Sequence, residues 1–168
     1  MPNFDSIIDA FETNNFVKFK TLLSKVENIN ATNDDMLTIF FELCFRFRFD
    51  QNTKELIPYI DHMLELGAQI NILDSNNRSP LSNFAQQGYL DLVKYLVKRG
   101  ANVNSSKDNC SGPVHHAIRS DQVAVVKFFL SVKSFDKSVK VFDESLGKFA
   151  KSKKSNKCIA LFKEMNIK

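Results

Sequence analysis

The sequence is poor in cysteine and glycine, and these shortages exclude several kinds of site. Its three cysteines, Cys44, Cys110 and Cys158, lie far apart and form no CxxC pair, so we expect buried, reduced thiols and neither a disulfide framework nor a zinc site. The five glycines form no phosphate-binding loop. The sequence also lacks the motifs that pair a nucleophile with a base or bring metal ligands together. We therefore expect no enzymatic activity, no cofactor and no metal.

A long apolar run is also missing. No stretch approaches the roughly 18 apolar residues that a membrane span requires, and the opening MPNFD lacks the basic and apolar segments of a signal peptide. We expect a cytoplasmic protein that does not contact membranes, with export by a non-classical route as the alternative. Hydrophobic residues make up 43% of the chain and charged residues 25%, which is ordinary globular usage and suffices for a core.

The sequence does contain an internal repeat. Three segments close alike, with VENIN at 26–30, GAQIN at 67–71 and GANVN at 100–104, so that each ends on an asparagine. Apolar residues recur at helical spacing before each close. The opening of the repeat recurs as SPLS at 79–82 and GPVH at 112–115, where proline in a first helical turn costs no hydrogen bond.

These openings and closes resemble those of the ankyrin repeat, which consists of a turn, two antiparallel helices and a loop. The resemblance implies an all-α solenoid of stacked helix-turn-helix repeats. We predict a single domain of five repeats, at about 4–30, 31–71, 72–104, 105–137 and 138–168. The second repeat exceeds the period by eight residues, which we place between its two helices. The last is a basic cap, since an end repeat buries only one face and must be wettable on the other.

Ankyrin repeats bind partners through the turn tips and the face made by the first helices, and the resemblance carries that expectation to this chain. It also implies that His115 hydrogen-bonds the turn backbone. The candidate contact residues lie in two turns and on the helix after the second turn: Asn76, Asn77, Arg78, Lys107, Asp108, His116 and Arg119.

The insertion in the second repeat is another candidate surface, formed by Phe45, Arg46, Phe47 and Arg48. Interface hot spots favour aromatic residues and arginine. If the stretch is helical, Phe45 and Phe49 share a face and Phe47 points elsewhere, so at least one large side chain is exposed. The alternative is that the first helix of this repeat is about two turns longer and packs its phenylalanines against the first repeat.

The formal charge is unevenly distributed, with −3 over residues 1–50, +1 over 51–132 and +6 over 133–168. We expect a monomeric, non-catalytic module that binds a specific protein and inhibits or sequesters it, as immunity proteins and antitoxins do. One alternative is a secreted bacterial effector that binds a host protein. Another is contact between the basic C-terminal repeat and nucleic acid, which we rank behind a protein partner because a solvated cap also explains that charge.

Overall fold

The computed structural model describes residues 3–47, 52–104 and 111–167. Within these ranges the chain forms ten α-helices and no β-strand, which confirms the predicted all-α fold. No described helix combines the length and the apolar character needed to cross a bilayer. The helices, in chain order, are α1 (Phe4–Glu12), α2 (Phe16–Leu23), α3 (Ile39–Arg46), α4 (Thr53–Glu65), α5 (Pro80–Gln87), α6 (Leu90–Lys98), α7 (Pro113–Arg119), α8 (Val123–Ser131), α9 (Leu146–Ser152) and α10 (Asn156–Glu164).

The helices group into two compact units. The N-terminal unit, Met1–Asp74, holds α1 to α4, and the C-terminal unit, Ser75–Lys168, holds α5 to α10. Each unit has its own buried apolar side chains.

An aromatic cluster around Tyr59 forms much of the core of the N-terminal unit. The ring of Tyr59, on α4, lies 5.2 Å from that of Phe11, 4.9 Å from that of Phe16 and 4.8 Å from that of Phe19, each in an edge-to-face arrangement. Its hydroxyl donates a hydrogen bond of 3.0 Å to Oδ1 of Asn14 in the turn between α1 and α2. Tyr59 thus joins the second helix pair to the first through both packing and a polar contact.

In the C-terminal unit, α5, α7 and α9 pack in one row and α6, α8 and α10 in another. The ends of α5 and α7 lie close together, since a Cβ on Gly88 would be 2.3 Å from Oε1 of Gln122. Gly88 also has a φ of +81°, so that both its backbone and its surroundings require glycine. At the end of α7, Asp121 accepts hydrogen bonds from the N–H groups of Lys157 and Cys158 at 3.0 and 2.8 Å, which caps α10.

The repeated asparagine at the close of a repeat joins that repeat to the next. The side chain of Asn104 donates to the carbonyl of Ser134 at 2.7 Å and accepts from the N–H of Asp136 at 2.9 Å. Asn30 makes the same pair of bonds with the loop at 67–69, at 3.0 and 2.8 Å. A side-chain amide offers both donors and an acceptor, which together match an exposed stretch of backbone. This pairing explains why the closing asparagine recurs.

Four of the eight extra residues of the second repeat fall between α3 and α4, and the other four fall in α4. The connection from α3 to α4, residues 47–52, has six residues, whereas α5 and α6 are separated by two. Helix α4 has 13 residues against nine in α6. Helix α3 has eight residues, as α5 does, so the alternative of a longer first helix was wrong. Residues 48–51 of the connection lie outside the described ranges.

The described cysteines are buried and have no disulfide. Burial raises the pKa of the Cys44 thiol far above its usual range. Burial also raises the pKa of Cys158 to about 12, with a further contribution from the neighbouring carboxylate of Asp121. Both thiols therefore stay protonated and unreactive at neutral pH. Cys110 lies outside the described ranges.

Candidate partner-binding surfaces

The end of α3 carries the candidates of the second repeat, and its arginine is held by contacts within the N-terminal unit. Arg46 Nε donates to Oε1 of Glu42 at 2.5 Å, and Nη1 donates to Oε1 of Glu12, on α1, at 3.1 Å. These bonds, that to Glu42 first, raise the pKa of Arg46. Arg46 therefore links α3 to α1 and would have to give up these bonds to reach a partner.

The two described phenylalanines at this end differ in accessibility. Phe45 is 46% exposed, and its ring stacks on that of Phe41 with 6.5 Å between centroids. Phe47 is only 2% exposed. The expectation that Phe47 contacts a partner is corrected, because a buried ring in the core has no area to offer. Arg48 lies outside the described ranges.

The turn before α5 places Asn76, Asn77 and Arg78 at one end of the C-terminal unit. Asn76 is exposed, and the other two are half-buried. Asn77 has a φ of +58°, the left-handed conformation that asparagine tolerates better than other non-glycine residues. Ser79 then caps α5, its Oγ accepting from the N–H of Ser82 at 3.1 Å. The turn is thus held in place by the helix that it precedes.

The two candidate residues on α7, His116 and Arg119, differ in their exposure to solvent. His116 is 5% exposed, so the expectation that it lies on the recognition side is corrected: its side chain is packed inside the C-terminal unit. Arg119 is exposed, and its Nη2 donates to Oγ of Ser111 at 3.3 Å. Because Ser111 precedes α7, the guanidinium reaches back along the helix toward its N-terminal end. Lys107 and Asp108 lie outside the described ranges.

His115 is fully buried in α7, where it holds the start of the helix. Its Nδ1 accepts from the N–H of Gly112 at 3.2 Å, a bond of the kind that the repeat resemblance implied. Its ring meets that of Phe149, on α9, edge to face at 5.2 Å. Burial, with smaller contributions from the positive charges of His116 and Arg119, lowers the pKa of His115 to about 4. The imidazole is therefore neutral at physiological pH.

Sequence reasoning missed two apolar side chains at turn tips. Met36 is 69% exposed with a φ of +59°, and Phe142 is 71% exposed with a φ of +50°. Large residues seldom adopt positive φ, and the structure stores strain where they do. Met36 precedes Asn77 by the same interval that separates the closing asparagines Asn30 and Asn71. Aligning the repeats by their closing asparagines could therefore have identified Met36 as a residue at a turn tip.

Sequence reasoning also missed a cavity in the N-terminal unit. It has a volume of about 540 Å³ and lies between the start of α1 and residues 26–35. Ile7 and Ile39 form part of its apolar wall, and its acidic lining residues are Asp5, Glu27, Asp34 and Asp35. All the charged residues of its lining are therefore acidic. Among the described residues, no group of three or more histidine, cysteine or acidic side chains is arranged to hold a metal ion.

Comparisons with known proteins agree with this architecture. A family model described as ankyrin repeats (3 copies) matches residues 51–141, more than half of the chain. The chain is similar to Protein VAPYRIN-LIKE of Medicago truncatula, at 33% identity over 72 residues, 43% of this chain and 15% of that protein. It is also similar to Arf-GAP with coiled-coil, ANK repeat and PH domain-containing protein 2 of Gallus gallus, at 30% identity over 88 residues, 51% of this chain and 11% of that protein. The chain therefore spans a small part of either relative's length, and it belongs to the ankyrin-repeat family.

Proposed function

We propose that this chain binds one specific protein and blocks or sequesters it, without catalysis. Ankyrin repeats are protein–protein interaction modules, and the chain shares that general role through its family. The finer role rests on the C-terminal unit, where the Asn76–Arg78 turn and Arg119, the exposed last residue of α7, form the proposed binding face. Binding specificity in such folds lies in surface residues carried on a constant scaffold.

The observation that carries the proposal is the placement of Arg119. The seven-residue helix α7 buries every residue except this one, and its guanidinium donates to the neutral hydroxyl of Ser111. A guanidinium that is held by one weak, exposed hydrogen bond can exchange that bond for a hydrogen bond to a carboxylate or carbonyl oxygen of a partner. Arginine at such a position is a typical interface hot spot.

The proposed contact residues now differ from those that the sequence indicated. Phe47 and His116 are withdrawn because they are buried. The residues that remain as the binding face of the C-terminal unit are Asn76, Asn77, Arg78 and Arg119. Phe45 is proposed as a separate contact on the N-terminal unit, since nearly half of its side chain is accessible. Arg46 belongs to that same contact only if a partner displaces its bonds to Glu42 and Glu12.

An affinity capture with two charge-matched variants tests the proposal. The first variant, Arg78→Ala with Arg119→Ala, alters the binding face. The control, Lys94→Ala with Lys127→Ala, removes the same charge from exposed positions on α6 and α8. Each immobilised protein is incubated with an extract of its native cells, and retained proteins are quantified by mass spectrometry.

We expect one protein to be retained by the wild type and the control and reduced at least about 10-fold by the face variant, since losing a hot-spot arginine typically costs more than about 1 kcal/mol. The purified partner should then be inhibited less by the face variant than by the control. Equal retention by all three proteins would contradict the proposed face. A secreted effector would instead retain a host protein and nothing from the producing cell.

A further inference from the structure

A group of lysines lies at one corner of the C-terminal unit, from α9 through the turn into α10. All five side chains are exposed, and residues 148–157 contain no aspartate or glutamate. We call this group the lysine corner. Its members are Lys148, Lys151, Lys153, Lys154 and Lys157.

The five lysines of the corner form no ion pair with the other described residues. Two carboxylates border the corner. Asp121 accepts from two backbone N–H groups of α10 and interacts electrostatically with Lys157, and Glu144 accepts from Oγ of Ser152 at 3.0 Å. One ammonium, that of Lys153, lies 5.2 Å from the ring centre of Phe149. The corner therefore presents a concentrated positive potential.

The corner is also fixed in position. Oγ of Ser155 donates to the carbonyl of Ile118 at 2.5 Å, and the two bonds to Asp121 hold the first turn of α10. Lys154 has a φ of +56°, which makes the reversal between α9 and α10 tight. The lysines thus extend from an anchored turn rather than from a loose tail.

The need of an end repeat to face water does not explain why the charged side chains of residues 148–157 are all positive. A soluble surface mixes both signs, as the N-terminal unit does with pairs such as Lys18 and Asp9 at 2.8 Å. A cap that needed only to face water would be served by the same mixture. A fixed corner in which residues 148–157 contribute five lysines and no acid is instead typical of a site for a polymer of closely spaced negative charges.

We propose that the lysine corner binds the phosphate backbone of a nucleic acid without reading its bases. Protein interfaces are depleted in lysine and enriched in aromatic residues, whereas the one aromatic residue of the corner, Phe149, is buried. Its burial also removes any platform for base stacking. The exposed residues among the lysines, such as Ser152 and Asn156, are polar, so that no apolar side chain is available there to insert into a membrane.

Fluorescence anisotropy with a labelled 20-nucleotide single-stranded RNA of mixed sequence tests the proposal. For single strands the logarithm of the binding constant falls by about 0.7 per neutralised phosphate for each tenfold rise in salt. Four phosphate contacts give a slope of about −2.8, or a loss of affinity of about 50-fold between about 50 and 200 mM KCl. Oligo(U) of the same length should bind within about threefold, since phosphate contacts carry no sequence information.

Two charge-matched quadruple variants locate the site. In the corner variant four lysines become glutamine: Lys151, Lys153, Lys154 and Lys157. In the control variant the same change is made at four exposed lysines elsewhere in the unit: Lys94, Lys98, Lys127 and Lys133. Circular dichroism confirms that both fold. The corner variant should lose at least about 10-fold in affinity at about 50 mM KCl and most of the salt dependence, and the control should keep both.

Three results would overturn the proposal. A wild-type binding constant that does not change with salt excludes phosphate contacts, and this result needs no variant. Equal losses in both variants assign the binding to net charge rather than to the corner. Tighter binding to poly-L-glutamate, or to vesicles of two parts phosphatidylcholine to one part phosphatidylserine, assigns the corner to an acidic protein or a membrane. The capture of a protein partner by the Arg78 and Arg119 face is independent of all three.

Discussion

Acidification from pH 7 to pH 5 is expected to lower the free energy of unfolding by about 2 kcal/mol through His115 alone. The pKa of this residue is about 4 in the folded chain, against an ordinary value of 6.5. Between these values the unfolded chain binds a proton that the folded chain does not, so that stability falls as the pH falls. At about 1.36 kcal/mol per unit of pKa, the loss reaches about 3 kcal/mol near pH 4.

The pKa of His115 is low because its buried imidazole has no favourable place for a second proton. Nδ1 already accepts from Gly112, and Nε2 has no hydrogen-bond partner among the described residues. The positively charged groups that disfavour protonation are Arg119 and, when charged, His116, both on the same helix. Protonation would break the bond to Gly112 and place a charge in the buried contact between α7 and α9, which would loosen that contact.

Urea unfolding followed by circular dichroism, at half-unit steps between pH 7 and pH 5, measures the effect. The variant His115→Asn keeps an acceptor for the Gly112 N–H but cannot be protonated, so we expect its stability to lose about 2 kcal/mol less over this range. His62→Asn is the control for removing a histidine elsewhere. If wild type and His115→Asn lose stability in parallel, the assignment of the acid sensitivity to His115 is refuted.

Three further predictions concern the packing between repeats and a strained turn. Asn104→Asp removes the donor to the Ser134 carbonyl and should lower the free energy of unfolding by about 1–3 kcal/mol in urea titrations; no change would show that the bond is dispensable. Tyr59→Phe should cost about 1 kcal/mol by losing the bond to Asn14, whereas Tyr59→Ala should cost about 3–5 kcal/mol by opening the aromatic core; equal costs would contradict this division. Phe142→Gly should raise the melting temperature, since relief of the positive φ is worth about 0.5–1 kcal/mol, and a lower melting temperature would show that the exposed ring contributes to folding.

The fold followed from the sequence because the repeat signals describe local structure. A proline after a capping residue starts a helix wherever it occurs, and Ser79 with Pro80 does so at α5. The closing asparagines identified a recurring position, although their bonds across to the next loop became visible only in the structure. Such bonds join residues 30 or more positions apart, which a periodic pattern can indicate but cannot pair.

The contact residues were harder to predict, because accessibility depends on packing between elements. Phe47 lies beyond the last residue of α3 and turns inward, which the alternation of phenylalanine and arginine does not reveal. His116 lies beside the buried His115, and α7, packed between neighbouring helices, leaves only its last residue exposed. Arg119 is accessible because it falls at the end of that helix, beyond the packed positions.

The most direct test of the proposed function is hydrogen–deuterium exchange on the chain with and without the partner that the affinity capture identifies. We expect slowed exchange to be concentrated at residues 76–78 and across α7, with α6 and α8 unchanged. Protection that appears instead on α6 and α8, and leaves α7 unaffected, would contradict the proposed binding face.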